Sequence, residues 1–194
     1  AIQARAGDST FSSMDFVSPS TGFVVGPTIK KTIDGGVNWL TEQGTGSYLR
    51  AVDFVNEPGF DGYKGWAVGE GGTIRDTRNG GASWGYQISG VTTRLWGVHF
   101  TDSLVGCAVG ELGVILRTTN GGATWIYQNS GSSSYHSRSV FFVGNRGWSV
   151  GQNGLILATT ATVRIMRPSK SRVGRRLPRF FGFDFMGRKA KWDL

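Results

Sequence analysis

An eight-residue motif that occurs three times constrains the fold of this chain more than any other feature. It is TIDGGVNW at residues 32–39, and it returns as TRNGGASW at 77–84 and as TTNGGATW at 118–125. Each copy has Asp or Asn followed by two glycines, the residue types that accept the positive φ angles of a tight turn. Each then has a Trp, whose large side chain covers apolar surface. The motif therefore predicts three equivalent turns between strands.

We call this motif the Gly-Gly-x-x-Trp box. A residue type that is repeated in every unit is far more often structural than catalytic. The box residues predicted to be structural are Asp34, Gly35, Gly36, Trp39, Asn79, Gly80, Gly81, Trp84, Asn120, Gly121, Gly122 and Trp125.

A second repeated pattern gives the period. The sequence Gly-x-x-Val-Gly occurs four times, and its last glycines are Gly26, Gly69, Gly110 and Gly151. They are spaced by 43, 41 and 41 residues. Short strand-like runs at a period near 42 residues are typical of a β-propeller, whose blades are four-stranded sheets. The chain is therefore predicted to be all-β, with about four blades.

The repeats also predict the domain organisation. Residues 1–162 form the repeat body, whose units lie near 11–47, 48–93, 94–134 and 135–162. The fourth unit supplies three strands and lacks a box, whereas residues 1–6 resemble a last strand. We therefore predict an array that closes if residues 1–6 pair with the strand near 155–160, because closure removes exposed sheet edges. An open array is expected to form oligomers through its edges.

The positive charge is concentrated in residues 163–194. This tail has ten Lys or Arg against two Asp, a net charge of +8 that equals the net charge of the whole chain. The repeat body is therefore neutral, which argues against nucleic-acid binding by the body. The basic and aromatic composition of the tail favours contact with anionic surfaces. A disordered segment, or one that is not native to the fold, fits the tail equally well.

A binding site is predicted where the first strands of the units begin. Aligning FSSMDF, LRAVDF, LWGVHF and SRSVFF makes Ser12, Arg50, Trp96 and Arg138 equivalent. First strands line the centre of a propeller, so these side chains should surround one opening. Two guanidinium groups and an indole suit a carboxylate or a peptide segment; the alternative is that the arginines only keep the surface soluble. Further candidates for a basic face are Arg75, Arg78, Arg94 and Arg117.

Other reactive side chains are better explained by structure. Glu70 and Glu111 follow Val-Gly in successive units, so we interpret them as a repeat feature and not as an acid/base pair. His99 and His136 lie in unrelated contexts, and no spacing indicates a metal or a cofactor. Cys107 occupies a buried strand position of the repeat and is expected to be a small core residue.

Together, GWAVG, the box and the following Leu-x-x-Val-x-Phe resemble the photosystem II stability/assembly factor type of BNR (Asp-box) repeat. The resemblance covers roughly residues 1–160. It implies a β-propeller and a non-enzymatic scaffold that binds a protein or peptide, such as a membrane-protein subunit during assembly. It also implies an extracytoplasmic location, in the thylakoid lumen or the bacterial periplasm. Because Asp boxes also occur in sialidases, a glycoside hydrolase or a carbohydrate-binding propeller is the alternative.

Overall fold

The computed structural model describes residues 10–56, 63–131, 133–144 and 146–159, together with three short strands at 163–164, 182–183 and 189–190. These residues form four antiparallel sheets, each built from consecutive strands. The first sheet has strands β1 (Ser13–Phe16), β2 (Gly22–Val25), β3 (Thr28–Thr32) and β4 (Leu40–Gly44). The second has β5 (Leu49–Val55), β6 (Lys64–Gly69), β7 (Ile74–Thr77) and β8 (Gly85–Gln87).

The remaining strands belong to the third and fourth sheets. The third sheet has β9 (Leu95–Phe100), β10 (Gly106–Gly110), β11 (Val114–Thr118) and β12 (Ile126–Asn129). The fourth has β13 (Ser137–Val143), β14 (Arg146–Gly151), β15 (Ile156–Thr159), β16 (Val163–Arg164), β17 (Gly182–Phe183) and β18 (Lys189–Ala190). Single 3₁₀ turns at Glu70–Gly72, Glu111–Gly113 and Gln152–Gly154 connect the second and third strands of the last three sheets. The predicted all-β, propeller-like array is confirmed.

Each Gly-Gly-x-x-Trp box forms the turn between the third and fourth strands of its sheet. In the first box, the Thr32 hydroxyl accepts hydrogen bonds from the Asp34 and Gly36 N–H groups, and the Asp34 carboxylate accepts one from the Asn38 N–H. Gly35 and Gly36 have φ angles of 72° and 90°, which lie in the region that favours glycine. The other two boxes repeat this pattern with Asn in place of Asp. The box is therefore a hydrogen-bonded turn.

Within each of the first three sheets, the box Trp packs edge-on against a Phe at or next to the end of the first strand. The ring centroids are 5.7 to 6.2 Å apart in the pairs Phe16–Trp39, Phe54–Trp84 and Phe100–Trp125. The same Phe ring lies over the first glycine of the neighbouring strand. A Cβ atom at Gly106 would come 2.5 Å from the Phe100 ring. A glycine is needed there because no side chain fits beneath the ring.

Successive sheets pack through two kinds of face. We call the side of a sheet that packs on the next sheet its forward face, and the side that packs on the previous sheet its receiving face. Trp66 on the forward face of the second sheet stacks on Phe100 of the third, with centroids 3.4 Å apart. Phe23 stacks in the same way on Phe54, at 4.1 Å. The apolar core therefore lies between sheets, in three successive clusters.

Among the described residues the array is open. The second sheet packs on the first, the third on the second and the fourth on the third, but the first and fourth sheets make no comparable contact. The predicted closing strand, residues 1–6, lies outside the described residues. The position beside β15 is held by β16, with Thr159 opposite Val163 and Ala158 opposite Arg164. A strand that follows β15 so closely in sequence pairs with less loss of loop entropy than one from the distant N-terminus.

Residues of the basic tail therefore pair with the repeat body at a few described positions. Strands β16, β17 and β18 extend the fourth sheet in that order. The rest of the tail lies outside the described residues, so the predicted domain boundary at 162/163 stays a prediction. The described part of the chain contains no helix that is long and apolar enough to span a membrane.

Candidate functional site

The first strands of the four sheets lie side by side. Strand β1 contacts β5, β5 contacts β9, and β9 contacts β13. The predicted row of equivalent positions is therefore present on adjacent strands at the start of each sheet. It runs from Ser12 through Arg50 and Trp96 to Arg138.

Three guanidinium groups surround the half-buried Trp96 indole. The guanidinium carbons of Arg50 and Arg94 each lie 4.8 Å from the ring centroid, and that of Arg138 lies 3.9 Å from it. Each distance is within the range of a cation–π contact. Arg50 also lies 4.4 Å from the ring centroid of Tyr48. The structure thus joins Arg50, Trp96, Arg94 and Arg138 in one group, which we call the Trp96 cluster.

Two glutamates from the 3₁₀ turns hold two of these arginines. Glu70 accepts hydrogen bonds from Arg50 Nε at 2.8 Å and from Arg94 Nε at 2.5 Å, one on each carboxylate oxygen. Glu111 accepts a third from Arg94 Nη1 at 3.1 Å. Glu70 and Glu111, each the first residue of a 3₁₀ turn, therefore both bind Arg94, which immediately precedes β9.

These contacts shift the ionisation of the paired groups. Partial burial raises the pKa of Glu70, but the hydrogen bonds from Arg94 and Arg50 outweigh it, so the net pKa lies below its usual value. The hydrogen bond to Glu70 raises the pKa of Arg94. The charged forms of both partners are therefore favoured, and the network is ionised at neutral pH.

Arg138 differs from the other two arginines because no described carboxylate pairs with it. It is exposed and lies closest to the indole. With three arginines against Glu70 and Glu111, the cluster carries three positive and two negative charges, or a net charge of +1. The Trp96 Nε1–H is buried and has no hydrogen-bond acceptor among the described residues. The cluster therefore has one uncompensated cation on a stacking surface.

The other predicted arginines lie outside the Trp96 cluster. Arg75 is 2% exposed, donates hydrogen bonds to the Thr45 carbonyl and the Tyr86 hydroxyl, and lies over the Tyr86 ring. Burial lowers its pKa. Arg78 is exposed beside the second box and pairs with Asp76 at 3.3 Å. Arg117 lies on strand β11, opposite Cys107. The structure does not bring these three residues together.

Glu70, Glu111 and Tyr48 are the members of this region that sequence reasoning did not assign to a site. The two glutamates occupy equivalent repeat positions, as predicted. Glu70 pairs with both Arg50 and Arg94, whereas Glu111 pairs with Arg94. A signal was present in the sequence, because each glutamate immediately follows the last glycine of a Gly-x-x-Val-Gly run.

The remaining candidate groups include His99 and Cys107. Among the described residues, no group of three His, Cys, Asp or Glu side chains is close enough to bind a metal ion. Burial lowers the pKa of His99, which lies against the rings of Phe141 and Phe142. Burial raises the pKa of the Cys107 thiol to about 12, so it is a core residue, in line with the repeat pattern.

Comparisons with known proteins give the family and the fold of this chain. The model of a family described as photosynthesis system II assembly factor YCF48 matches residues 3–90 and 86–167. The photosystem II assembly lipoprotein Ycf48 of Synechococcus sp. (strain CC9902) is 31% identical over 80 residues, which cover 37% of this chain and 22% of that protein. The chain thus aligns with only about a fifth of that relative's length.

Two solved structures are similar in fold. YCF48 from Cyanidioschyzon merolae superposes with a TM-score of 0.65 at 15% identity, covering 96% of this chain and 76% of that one. A structure of YCF48 bound to D1 peptide gives a TM-score of 0.56 at 19% identity, covering 81% of this chain and 67% of that one. At these identities the likeness shows the shared propeller-like architecture.

Proposed function

Because this chain belongs to the photosynthesis system II assembly factor YCF48 family, we propose that it is a non-enzymatic scaffold that binds a peptide segment of a partner protein through the Trp96 cluster. The observation that carries the proposal is the uncompensated Arg138 guanidinium, 3.9 Å from the Trp96 ring centroid. A carboxylate that approaches the cluster meets a charge-assisted donor, and an apolar group beside it meets the indole face.

The geometry supports a peptide ligand in particular. Glu70 holds Arg50 and Arg94 in place before any ligand arrives, which lowers the entropy lost on binding. Their remaining N–H groups can donate to a ligand, and Arg138 extends the same row of first strands. A ligand with one carboxylate and several backbone carbonyls uses donors spread over adjacent sheets better than a small anion does.

The partner is proposed from the relatives. One solved relative is bound to D1 peptide, and we propose that the partner of this chain is likewise a segment of a photosystem II subunit during assembly. The relative from Synechococcus is a lipoprotein, which supports an extracytoplasmic location. The neutral repeat body also suits a protein ligand better than a nucleic acid, since it offers no broad positive surface.

A glycoside hydrolase is the weaker candidate. A general acid in such an enzyme needs a carboxyl group whose pKa is raised. Glu70 has a lowered pKa, because two arginines donate hydrogen bonds to it. Burial raises the pKa of Asp53, but its carboxyl group accepts a hydrogen bond from the Phe100 N–H of the next sheet and is not part of the Trp96 cluster. Glu111 is also bound to Arg94. Both carboxylates thus serve to position arginines.

The test is the affinity of the chain for the D1 peptide of the solved complex, measured by fluorescence anisotropy. Replacing both Arg50 and Arg138 by Ala is expected to weaken binding by at least about tenfold, because each charge-assisted hydrogen bond contributes about 1.5–3 kcal/mol. Arg146→Ala is the control, since Arg146 is exposed on β14 outside the cluster and its replacement removes one positive charge, half of what the double variant removes.

Two results would refute the proposal. Equal affinity for the double variant and Arg146→Ala would remove the Trp96 cluster from the site, provided that thermal melting shows both proteins folded. Hydrolysis of a fluorogenic sialoside by the purified chain would show that the chain is an enzyme and would refute the non-enzymatic scaffold.

A further inference from the structure

The 3₁₀ turns between the second and third strands share one backbone conformation. Their middle residues are Gly71, Leu112 and Asn153, with φ angles of 64°, 54° and 56°. These angles lie in the left-handed region, which glycine and asparagine adopt readily and which other side chains rarely adopt. The turn therefore favours glycine or asparagine at this position, but the third sheet has leucine.

Leu112 is a surface residue. Its side chain is 50% exposed, and it belongs to none of the three apolar clusters that the described sheets form between them. Residues held in sparsely populated backbone conformations are concentrated at active sites and ligand-binding sites. An apolar side chain that is kept exposed at a conformational cost therefore indicates a role in binding.

The residue before Leu112 is fixed to the Trp96 cluster in two ways. The Glu111 N–H donates a hydrogen bond to the Arg94 carbonyl at 3.0 Å, and the Glu111 carboxylate accepts one from Arg94 Nη1 at 3.1 Å. The guanidinium carbon of Arg94 lies 4.8 Å from the centroid of the Trp96 ring. Leu112 follows directly in the chain, so its backbone lies at the edge of the cluster.

The residue after Leu112 is fixed to the segment that leads into the fourth sheet. The Gly113 N–H donates a hydrogen bond to the Tyr135 carbonyl at 2.7 Å. Tyr135 precedes Arg138 by three residues, and Arg138 is the arginine that lies nearest to the indole. The turn therefore holds Leu112 between the two segments that bring Arg94 and Arg138 to the Trp96 ring.

We propose that Leu112 sets the specificity of the Trp96 cluster, by contacting an apolar side chain of a peptide whose carboxylate binds Arg138. The inference rests on the proposed function, because it needs a peptide ligand in the cluster. Arg138 has no carboxylate partner among the described residues and can take the ligand carboxylate. An apolar ligand side chain that covers Leu112 removes apolar surface of both partners from water.

The ligand class that follows is a peptide with a carboxylate and an apolar residue within a few positions of it. A peptide with only polar residues near its carboxylate would bind Arg138 but would leave Leu112 exposed. A small anion would make no contact with Leu112 at all. The cluster would then select peptides by the side chain beside the carboxylate as well as by charge.

The experiment compares two short synthetic peptides of equal length, each with one free C-terminal carboxylate. They differ only in the residues nearest to that carboxylate, which are leucine in one peptide and serine in the other. Fluorescence anisotropy gives the affinity of the full 194-residue chain for each. The wild-type chain is expected to prefer the leucine peptide by about five- to tenfold, because the contact buries part of an apolar side chain on each partner.

Two variants of Leu112 use residue types that the chain itself has in equivalent turns. Leu112→Asn and Leu112→Gly are expected to bind the two peptides almost equally, while Tm stays within about 2 °C of the wild-type value or rises, because both residues accept the left-handed conformation. Leu104→Asn is the matched control. Leu104 is 53% exposed and lies between β9 and β10, at the opposite end of the third sheet, so this variant should keep the preference.

The arginine variant separates this inference from the proposed function. Arg138→Ala is expected to weaken binding of both synthetic peptides and of the D1 peptide, because it removes the cation that binds the carboxylate. If it does so while Leu112→Asn keeps the wild-type preference, the Trp96 cluster is a binding site but Leu112 is not part of it. If Arg138→Ala and the wild-type chain bind all three peptides alike, both proposals are wrong.

Two further results would overturn the role of Leu112 alone. A fall in Tm of more than about 5 °C in both Leu112 variants would show that the leucine serves packing. Loss of the preference in Leu104→Asn as well would show that the leucine peptide binds to apolar surface without a specific site.

Discussion

Replacing Gly106 by Ala is predicted to destabilise the chain, although the substitution adds a single methyl group. The new Cβ would lie 2.5 Å from three atoms of the Phe100 ring. Real Cβ contacts of that length do not occur, so the ring or the strand must move by nearly 1 Å.

The Phe100 ring has little room to move. Trp66 stacks on it with centroids 3.4 Å apart, and Trp125 contacts it edge-on at 5.8 Å. Overpacking of this kind costs about 1–3 kcal/mol. The smaller entropy of the unfolded chain after Gly→Ala offsets about 0.4–1 kcal/mol of that. The net loss therefore lies between about 0 and 2.6 kcal/mol, and the middle of both ranges gives about 1.3 kcal/mol, or a fall in Tm of roughly 3–5 °C for a chain of this size.

Two further glycines provide the comparison. Gly44 lies on strand β4, and a Cβ there would meet nothing within 4 Å, so Gly44→Ala is expected to be neutral or slightly stabilising. Gly147 lies beneath Phe142 at 2.4 Å, but the fourth unit has no box Trp against that ring. Phe142 has more freedom to shift, and Gly147→Ala should cost less than Gly106→Ala.

The assay is urea unfolding of the three variants. Their free energies of unfolding are compared with the same slope of free energy against urea concentration. The expected order of stability is Gly44→Ala above Gly147→Ala above Gly106→Ala. Equal stability of Gly44→Ala and Gly106→Ala would show that the stacked Trp66, Phe100 and Trp125 rings do not restrain one another. The packing argument for the repeated glycine would then be refuted.

Two other predictions concern the core. Trp84→Ala should lower the free energy of unfolding by about 3–5 kcal/mol, and Trp39→Ala by less, because Trp84 is 5% exposed whereas Trp39 is half-buried at the open end; unchanged melting of Trp84→Ala would contradict its structural role. Burial raises the pKa of Asp53 from 3.8 to about 7. The hydrogen bond from the Phe100 N–H lowers this pKa and the Asp15 charge raises it, but burial has the largest effect. The folded state therefore holds a proton between about pH 4 and 7 that the unfolded state releases, so stability should fall as pH rises through that window. Thermal melts of Asp53→Asn should show a flatter pH dependence, and an equally steep one would refute the assignment.

Much of the fold was predictable because each repeat has the same residue types at the same positions, and these form the same local contacts. The Asp or Asn, the paired glycines and the Trp specify a turn in which side-chain oxygens bind backbone N–H groups, and the structure has this turn three times. The order of strands within each sheet follows from short connections alone. Closure of the array was not predictable in the same way, since it depends on a contact between distant parts of the chain.

The sequence predicted which residues of the candidate site lie in one row, but it did not predict which arginines are buried or paired. Equivalence along the first strands places Arg50, Trp96 and Arg138 in one row, which needs only the repeat period. Whether a particular arginine is buried or exposed depends on the residues that surround it in its own sheet and in the neighbouring one. Arg75 is buried because the Thr45 carbonyl and the Tyr86 ring lie beside it, and no periodic pattern marks those partners.

Under the proposed function, Glu70 and Glu111 set which arginine of the Trp96 cluster a ligand carboxylate can bind. Three guanidinium groups around one indole would repel one another, and Glu70 and Glu111 relieve most of that repulsion by pairing with Arg50 and Arg94. A ligand carboxylate that sought those two arginines would have to displace Glu70, whose charged form is already favoured. Arg138 has no such partner among the described residues. In the proposed complex, a ligand carboxylate therefore binds most readily at Arg138, beside the Trp96 ring, and the paired arginines offer their remaining donors to backbone carbonyls.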